Sequence, residues 1–382
     1  MHWWDFKALR RIDFRALPIL LALMSISLLV ISSVSSSWEA VGQDPLELPF
    51  LTPLARIQLQ WFFIGSGFYL AAAAFDYRGL RSYGPLLYLL ILLALVGLFF
   101  TPAVHNVHRW YRIPGLPITL QPSEYAKWIV VVALSAWLEK RKGSPASFVT
   151  VGGAVAIVGV PFLLILKQPD LGTALVLYPI ALVMFYFGGL PKMVIRIMSA
   201  MGMVALLLVA LFFTGVLSHE EMRPVATKVI REYQYERLNP HTYHQEASQT
   251  AIALGGISGS GWRQSEFTGH QWLPEATTDS VFPAFTEEFG LLGALVLLGL
   301  FTALIALSFQ VTAVARDSFG RLLSAGIAVY LAMHVVVNIG MMAGLLPITG
   351  VPLTLITYGG SSVLSTMMAL GLLQSVYARR YG

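Results

Sequence analysis

The stretch MHWWDFKALRRIDFRALPILLALMSISLLVISSV, residues Met1–Val34, carries Lys7, Arg10, Arg11 and Arg15 and then turns apolar for roughly the 20 residues that a helical membrane span needs. No small-residue cleavage site follows cleanly, so the segment reads as a retained first helix and not as a signal peptide. The rest of the chain repeats this pattern. Of its 382 residues 56% are hydrophobic and only 12% are charged, with a mean hydropathy of +0.70. Soluble domains average about 25% charged residues, so this composition specifies an integral membrane protein. Cysteine is absent, which excludes disulfides, thiolate metal sites and cysteine nucleophiles.

Apolar runs predict an all-α, polytopic chain of about ten transmembrane helices, near 16–37, 57–75, 84–101, 122–138, 148–166, 171–187, 193–215, 281–309, 319–345 and 353–377. Lys7, Arg10, Arg11, Arg15, Arg78, Arg81, Lys140, Arg141, Lys142, Lys192, Arg196, Arg316, Arg321, Arg379 and Arg380 then fall on one side. The short segments of the other side hold only Arg56, Arg109, Arg112, Lys127 and Lys167. The positive-inside rule therefore places both termini in the cytoplasm. This bias accounts for the net charge of +5, and no nucleic acid partner is needed to explain it.

One connection breaks the rhythm. Residues 218–280, between the seventh and eighth spans, are expected to form a large extracytoplasmic loop within a single membrane domain covering 1–382. Structureless loops beyond about 12–15 residues are uncommon unless functional or disordered. RPVATKVIREYQYERL (Arg223–Leu238) has the pattern of an amphipathic helix lying on the membrane. LGGISGSGW (Leu254–Trp262) is a glycine-rich turn region without the spacing of a phosphate-binding loop. No internal repeat is visible.

QPSEYAKWIVVVALSAWL (Gln121–Leu138) leaves too few apolar residues after Lys127 to cross a bilayer, so this helix must begin near Pro122. Glu124 and Lys127 then form an i,i+3 pair at the outer boundary of the hydrocarbon. Such a pair is either a structural ion pair with a snorkelling lysine or the mark of a polar cavity. In KQPDLGT (Lys167–Thr173), Asp170 is placed to cap the following helix. TYGGSS (Thr357–Ser362) either packs helices closely or opens and presents backbone N–H groups with the Ser361 and Ser362 hydroxyls to a ligand. HNVH and HTYH space histidines at i,i+3, but without HExxH neither argues for zinc.

WLPEATTDSVFPAFTEEFG (Trp272–Gly290) gathers Glu275, Asp279, Glu287 and Glu288 ahead of an apolar run. Pro283 suits a first helical turn, which makes Asp279 or Ser280 a natural N-cap. On the alternative reading, Asp279 lies above a cavity with neighbouring carboxylates raising its proton affinity toward that of a general base. Spacing leaves both readings open.

Arg109-Trp110, QPSEYAK, QPDLGT, YQYER, GGISGSGW, LPEATTD, TEEFGLLGA, NIGMMAGLLPITGVP and YGGSS occur in this order and spacing. Together they resemble the SEDS family (shape, elongation, division and sporulation), and within it RodA more than FtsW. The resemblance runs from the first span to the end of the chain. It implies a ten-span peptidoglycan glycosyltransferase of the bacterial inner membrane that polymerises lipid II on the outer face for elongation and shape. The implied partners are a class B penicillin-binding protein and other elongation-machinery membrane proteins. It further implies that Asp279 is catalytic, with Glu124, Lys127 and Arg237 at the family's conserved positions. The chain departs from the family at Thr277 (commonly histidine), at Ser280 (commonly phenylalanine), at Ala247-Ser248, and in a longer, proline-containing stretch between Trp110 and Gln121.

On this resemblance Asp279 is expected to deprotonate an acceptor sugar hydroxyl. Arg109, Lys127, Arg237 and Arg223 are candidates to meet the leaving pyrophosphate. Glu275, Ser361 and Ser362 complete the expected substrate-binding set, and Asp170, Glu287 and Glu288 support it. The sequence requires no cofactor and shows no metal-ligand cluster, although a divalent cation at the pyrophosphate is compatible with it. The rival readings are a lipid II flippase or transporter and an FtsW-like division polymerase.

Overall fold

A computed structural model of the chain describes residues 3–39, 48–102, 108–112, 119–228 and 232–381. Among the described residues, ten long helices occupy the ten apolar stretches. They are α1 (Ala16–Glu39), α2 (Pro53–Ala74), α3 (Leu80–Gly97), α4 (Pro122–Lys140), α5 (Phe148–Lys167), α6 (Leu171–Phe187) and α7 (Lys192–Phe213), followed later by α12 (Val281–Val314), α13 (Ser318–Met342) and α14 (Gly360–Ala378). Among the described residues between α7 and α12 lie four short helices, α8 (His219–Ala226), α9 (Glu232–Glu236), α10 (Tyr243–Gly255) and α11 (Glu266–Gly269). Among the described residues, β1 (Tyr111–Arg112) and β2 (Thr119–Leu120) form the only paired strands. Seven of the long helices are long and apolar enough to cross a membrane by themselves, and α6 is a shorter apolar helix.

Burial is the reverse of a soluble bundle. The faces of α3, α5 and α7 that point outward are apolar, and α7 buries only Phe212. Polar side chains are gathered inside instead, as expected where lipid is the outer solvent. The bundle is centred on α4 and α13, which are buried along most of their length. The α14 helix lies along α2, and α13 packs against α4, α6 and α12. Small residues permit the close approaches. A Cβ on Gly65 of α2 would stand 3.1 Å from Met367 of α14, and one on Gly326 of α13 would stand 2.5 Å from Val131 of α4.

Two expectations about boundaries change. The last helix does not begin at 353 but at Gly360, because residues 353–359 take a non-helical path with Leu355 at φ 65°. The region 223–238 is not described as one amphipathic helix: α8 ends at Ala226, residues 227 and 228 form a turn, and α9 resumes at Glu232. Residues 229–231 of that expected helix lie outside the described residues. So does the segment 113–118, where the sequence departs from the family in length and proline content.

Helix α12 is broken at Gly290, whose φ of 62° and ψ of −164° leave the helical region. Glycine tolerates this conformation without steric cost. The glycine-rich turn at 255–261 lies against the break, and a Cβ on Gly259 or Gly290 would collide with the other segment's backbone.

Candidate functional site

The segment leading into α12 is held by its carbonyls. Thr277 O accepts from the N–H of Tyr358 at 2.9 Å, Thr278 O from the Thr357 hydroxyl at 3.0 Å, and Asp279 O from the Asn338 amide at 3.0 Å. Glu275 sits at φ 51°, and its carbonyl accepts from the N–H groups of both Thr278 and Ser280 at 3.0 Å. Three successive peptide units are thereby fixed by three different tertiary contacts.

The Asp279 side chain is left uncommitted. Ser280, not Asp279, is the N-cap of α12, and the cap makes no side-chain hydrogen bond. The Ser280 hydroxyl meets His244 Nε2 at 2.7 Å instead. Among the described residues no hydrogen bond engages the Asp279 carboxylate, so the capping role offered by the sequence is not the one adopted. Burial pushes this carboxyl from its ordinary 3.8 up to about 6. Glu275 adds to the rise, while Arg109 and Arg237 oppose it and Asp170 contributes a further repulsion. The carboxylates acting on Asp279 are thus Glu275 and Asp170, not the neighbouring Glu287 and Glu288.

The cations around it are anchored by backbone oxygens. Arg109 donates through Nε to Gln168 O at 3.2 Å and through its terminal nitrogen to Pro169 O. Arg237 donates to Ile348 O at 3.2 Å. Arg223 is not brought to this site: it is exposed and paired with Glu232 and Glu236.

Four helix N-termini are tied together around the same place. Asp170 caps α6 through the N–H of Thr173 at 3.3 Å and accepts from Ser123 at 2.9 Å and Gln121 at 3.2 Å, at the start of α4. Ser361, in the first turn of α14, accepts from the N–H of Gln121 at 2.9 Å and donates to Thr119 O at 3.2 Å. Ser362 is buried beside it. The contacts of Thr277 and Thr278 join this group to α12. Aligned N-termini carry partial positive charge and favour anions. Arg109 and Arg237 act on Asp279 as positive charge, while the starts of α4 and α6 share the Asp170 carboxylate.

Deeper in the bundle, Glu124 and Lys127 form the ion pair that their spacing suggested, at 2.6 Å with both side chains buried. The sequence reading missed the third member, since Lys127 Nζ also meets His334 Nε2 at 2.7 Å. Tyr330, His334 and Asn338 recur every four residues along α13, a polar stripe in a stretch that is otherwise apolar from Ala325 to Met342. That periodicity was the available signal.

Glu287 and Glu288 serve the fold. Glu287 accepts from the N–H groups of Phe267 and Thr268 at 2.8 and 3.0 Å and from the Thr268 hydroxyl at 2.5 Å. Glu288 accepts from Ser33 of α1 and from the N–H of Arg263 at 3.1 Å. Arg263 in turn donates to Leu48 O, Pro49 O and Ser32. Among the described residues no group of three or more His, Asp or Glu is arranged to hold a metal ion. His105 of the HNVH pair lies outside those residues.

Residues 14–382 match the Cell cycle protein family model for FtsW, RodA and SpoVE. The peptidoglycan glycosyltransferase MrdB of Escherichia coli is 32% identical over 389 residues, covering 99% of this chain and 96% of that protein. Among solved structures, a chain of a peptidoglycan synthase complex, described as coordinating polymerization and crosslinking, superposes with a TM-score of 0.73 at 25% identity. It covers 97% of this chain and 98% of its own. The rod shape determining protein RodA of Thermus thermophilus, in an aspartate-to-alanine variant, gives a TM-score of 0.69 at 25% identity, covering 97% and 99%.

Proposed function

The chain belongs to the FtsW/RodA/SpoVE family of cell cycle proteins, and from that premise we propose that it is a peptidoglycan glycosyltransferase that polymerises lipid II, with Asp279 as its general base. Asp279 takes the proton from the 4-hydroxyl of an acceptor N-acetylglucosamine. That oxygen attacks C1 of the donor N-acetylmuramic acid in line, undecaprenyl pyrophosphate departs, and an α-linked donor becomes a β-1,4 link.

The observation that carries this reading is the state of Asp279. Its backbone is pinned by tertiary contacts, while its carboxylate is free of hydrogen bonds among the described residues and raised to about 6. A base that titrates near the working pH combines the correct protonation state with driving force for proton transfer. Positive charge placed before the reaction stabilises the departing pyrophosphate. Arg109 and Arg237, with the uncapped N-terminus of α14, supply it here. Arginine suits bidentate phosphate contact. Glu275, exposed at the same turn, borders the acceptor side. A divalent cation carried by the pyrophosphate would add to the same field.

The site lies at the end of the bundle away from Arg81, which bridges Glu139 at the end of α4 and Asp317 at the start of α13. The charge bias supports a reading in which the 218–280 loop and Asp279 face outward from the inner membrane and both termini are cytoplasmic. A class B penicillin-binding protein would cross-link the strands as they form, and elongation-machinery membrane proteins would complete the assembly for growth and cell shape.

The test uses the purified chain with its cross-linking partner in liposomes and labelled lipid II. Wild type is expected to give a glycan ladder and folded Asp279→Asn none. Translocation of lipid II without a ladder from either protein would replace this reading with the flippase.

A further inference from the structure

On the reading of Asp279 as the base, we propose that His334 and Asn338 of α13 are positioning residues that hold Asp279 and the Lys127–Glu124 pair in one fixed relation through the Val351–Pro352 backbone. The two side chains are four residues apart on one helical face, and both are completely buried. Each makes a two-sided contact. His334 meets Lys127 Nζ at 2.7 Å and Pro352 O at 3.1 Å. Asn338 donates from one amide nitrogen to Asp279 O at 3.0 Å and to Val351 O at 2.8 Å. Adjacent carbonyls of a single segment are therefore held by adjacent turns of a single helix.

The chemistry of the groups fixes the direction of each bond. A lysine ammonium only donates, so His334 Nε2 accepts and Nδ1–H donates to Pro352. The Asn338 amide uses both hydrogens on carbonyls, and its Oδ1 has no partner among the described residues. An orphaned buried acceptor carries a desolvation cost. At the far ends of these contacts lie the proposed base and a buried ammonium. The 350–352 segment also runs directly beneath the base, since a Cβ on Gly350 would stand 3.3 Å from Asp279 Oδ2. A shift of this segment would move the acceptor's base and the deeper cation together.

In-line displacement depends on where the attacking and leaving oxygens stand, and a displacement of about 1 Å costs roughly 10²-fold in rate. The experiment measures lipid II polymerisation against substrate concentration, using full-length protein with its partner. It compares Asn338→Leu, His334→Leu, the double variant, His334→Gln and Asp279→Asn, with thermal unfolding of each. Asn338→Ser replaces Asn338→Leu if the latter is not recovered folded. Each single loss is expected to lower kcat by about 10²-fold with KM little changed. The double variant should be no slower than the worse single, because both act through one segment. His334→Gln, which keeps a donor and an acceptor, should restore most of the rate. Multiplicative losses, a change in KM alone, or rates that simply follow the unfolding midpoint would overturn the proposal. Wild-type rates in the α13 variants beside an inactive Asp279→Asn would overturn the positioning alone. An active Asp279→Asn would remove the base reading and this inference with it.

Discussion

The N–H of Leu291 donates to the carbonyl of Gly256 at 2.9 Å, where an unbroken helix would have bonded it to Glu287. The exchange is reciprocal. Leu292 N–H bonds Ile257 O at 3.2 Å, and the freed carbonyls of Glu287 and Glu288 accept from the N–H groups of Ser260 and Gly261 at 3.0 Å. The turn at 255–261 thus substitutes for the missing helical turn, so the break in α12 leaves none of these four groups unpaired. The two glutamates before Gly290 reach away from the break, Glu287 to Phe267 and Thr268 and Glu288 to Arg263 and to Ser33 of α1.

Gly290→Ala should therefore be costly although it adds one methyl group. The backbone at φ 62° and ψ −164° excludes a side chain, and the Cβ would enter the Ile257 and Gly259 backbone. Strain of this kind costs about 1–3 kcal/mol before any steric clash is counted. Thermal unfolding in detergent should show a large fall in the midpoint, and an unchanged midpoint would contradict the pairing just described.

Glu287→Gln should destabilise without touching the reaction. The carboxylate accepts three hydrogen bonds from Phe267 and Thr268, and an amide would turn a donor toward donors. Hydrogen bonds to charged groups are each worth about 1.5–3 kcal/mol, so a loss of that order is expected. The folded fraction should retain the wild-type kcat, in contrast to Asp279→Asn. A specific fall in kcat at unchanged stability would move Glu287 into the catalytic set.

The ten spans and the Glu124–Lys127 pair were legible because they depend on local composition and on i,i+3 spacing. What escaped the sequence depends on partners distant in the chain. Asp279 and Ser280 are equivalent as caps on paper, and only the contact of Ser280 with His244 and the fixed carbonyls at 277–279 separate them. His334 is a lone histidine on an apolar helix until Lys127 is seen opposite it. Arg223 and Arg237 look alike in sequence, yet Glu232 and Glu236 hold the first at the surface while Ile348 O receives the second. The start of α14 was misplaced because residues 353–359 are apolar enough to pass for helix.

Asp279→Asn should raise stability at neutral pH while abolishing polymerisation. The folded carboxyl, at about 6, lies above its ordinary 3.8. A raised acid favours folding below the unfolded value and loses that contribution as pH rises through about 6. Removing its charge should therefore raise the unfolding midpoint at pH 7–8, and the gain should vanish toward pH 4. Parallel melts across that range are the measurement, and a lower midpoint for the variant at neutral pH would contradict the desolvated carboxylate.

The same titration sets the pH–rate profile, and Arg109 should move it. A general base works only when deprotonated, so kcat/KM for lipid II polymerisation, which reports the free enzyme, should rise with pH through an inflection near 6 and then level off. Arg109 lowers the proton affinity of Asp279, whereas Glu275 raises it. Arg109→Gln should accordingly displace the inflection to higher pH, and Glu275→Gln should displace it to lower pH. Arg109 also holds the carbonyls of Gln168 and Pro169, so its loss should lower the plateau as well as shift the curve. Glu275→Gln should shift the curve with little effect on the plateau, because an amide still accepts from Thr278, as the carboxylate does at 2.8 Å. Opposite displacements from two substitutions flanking one carboxylate would identify Asp279 as the titrating group. Profiles that keep the wild-type inflection in both variants would assign the titration to another residue.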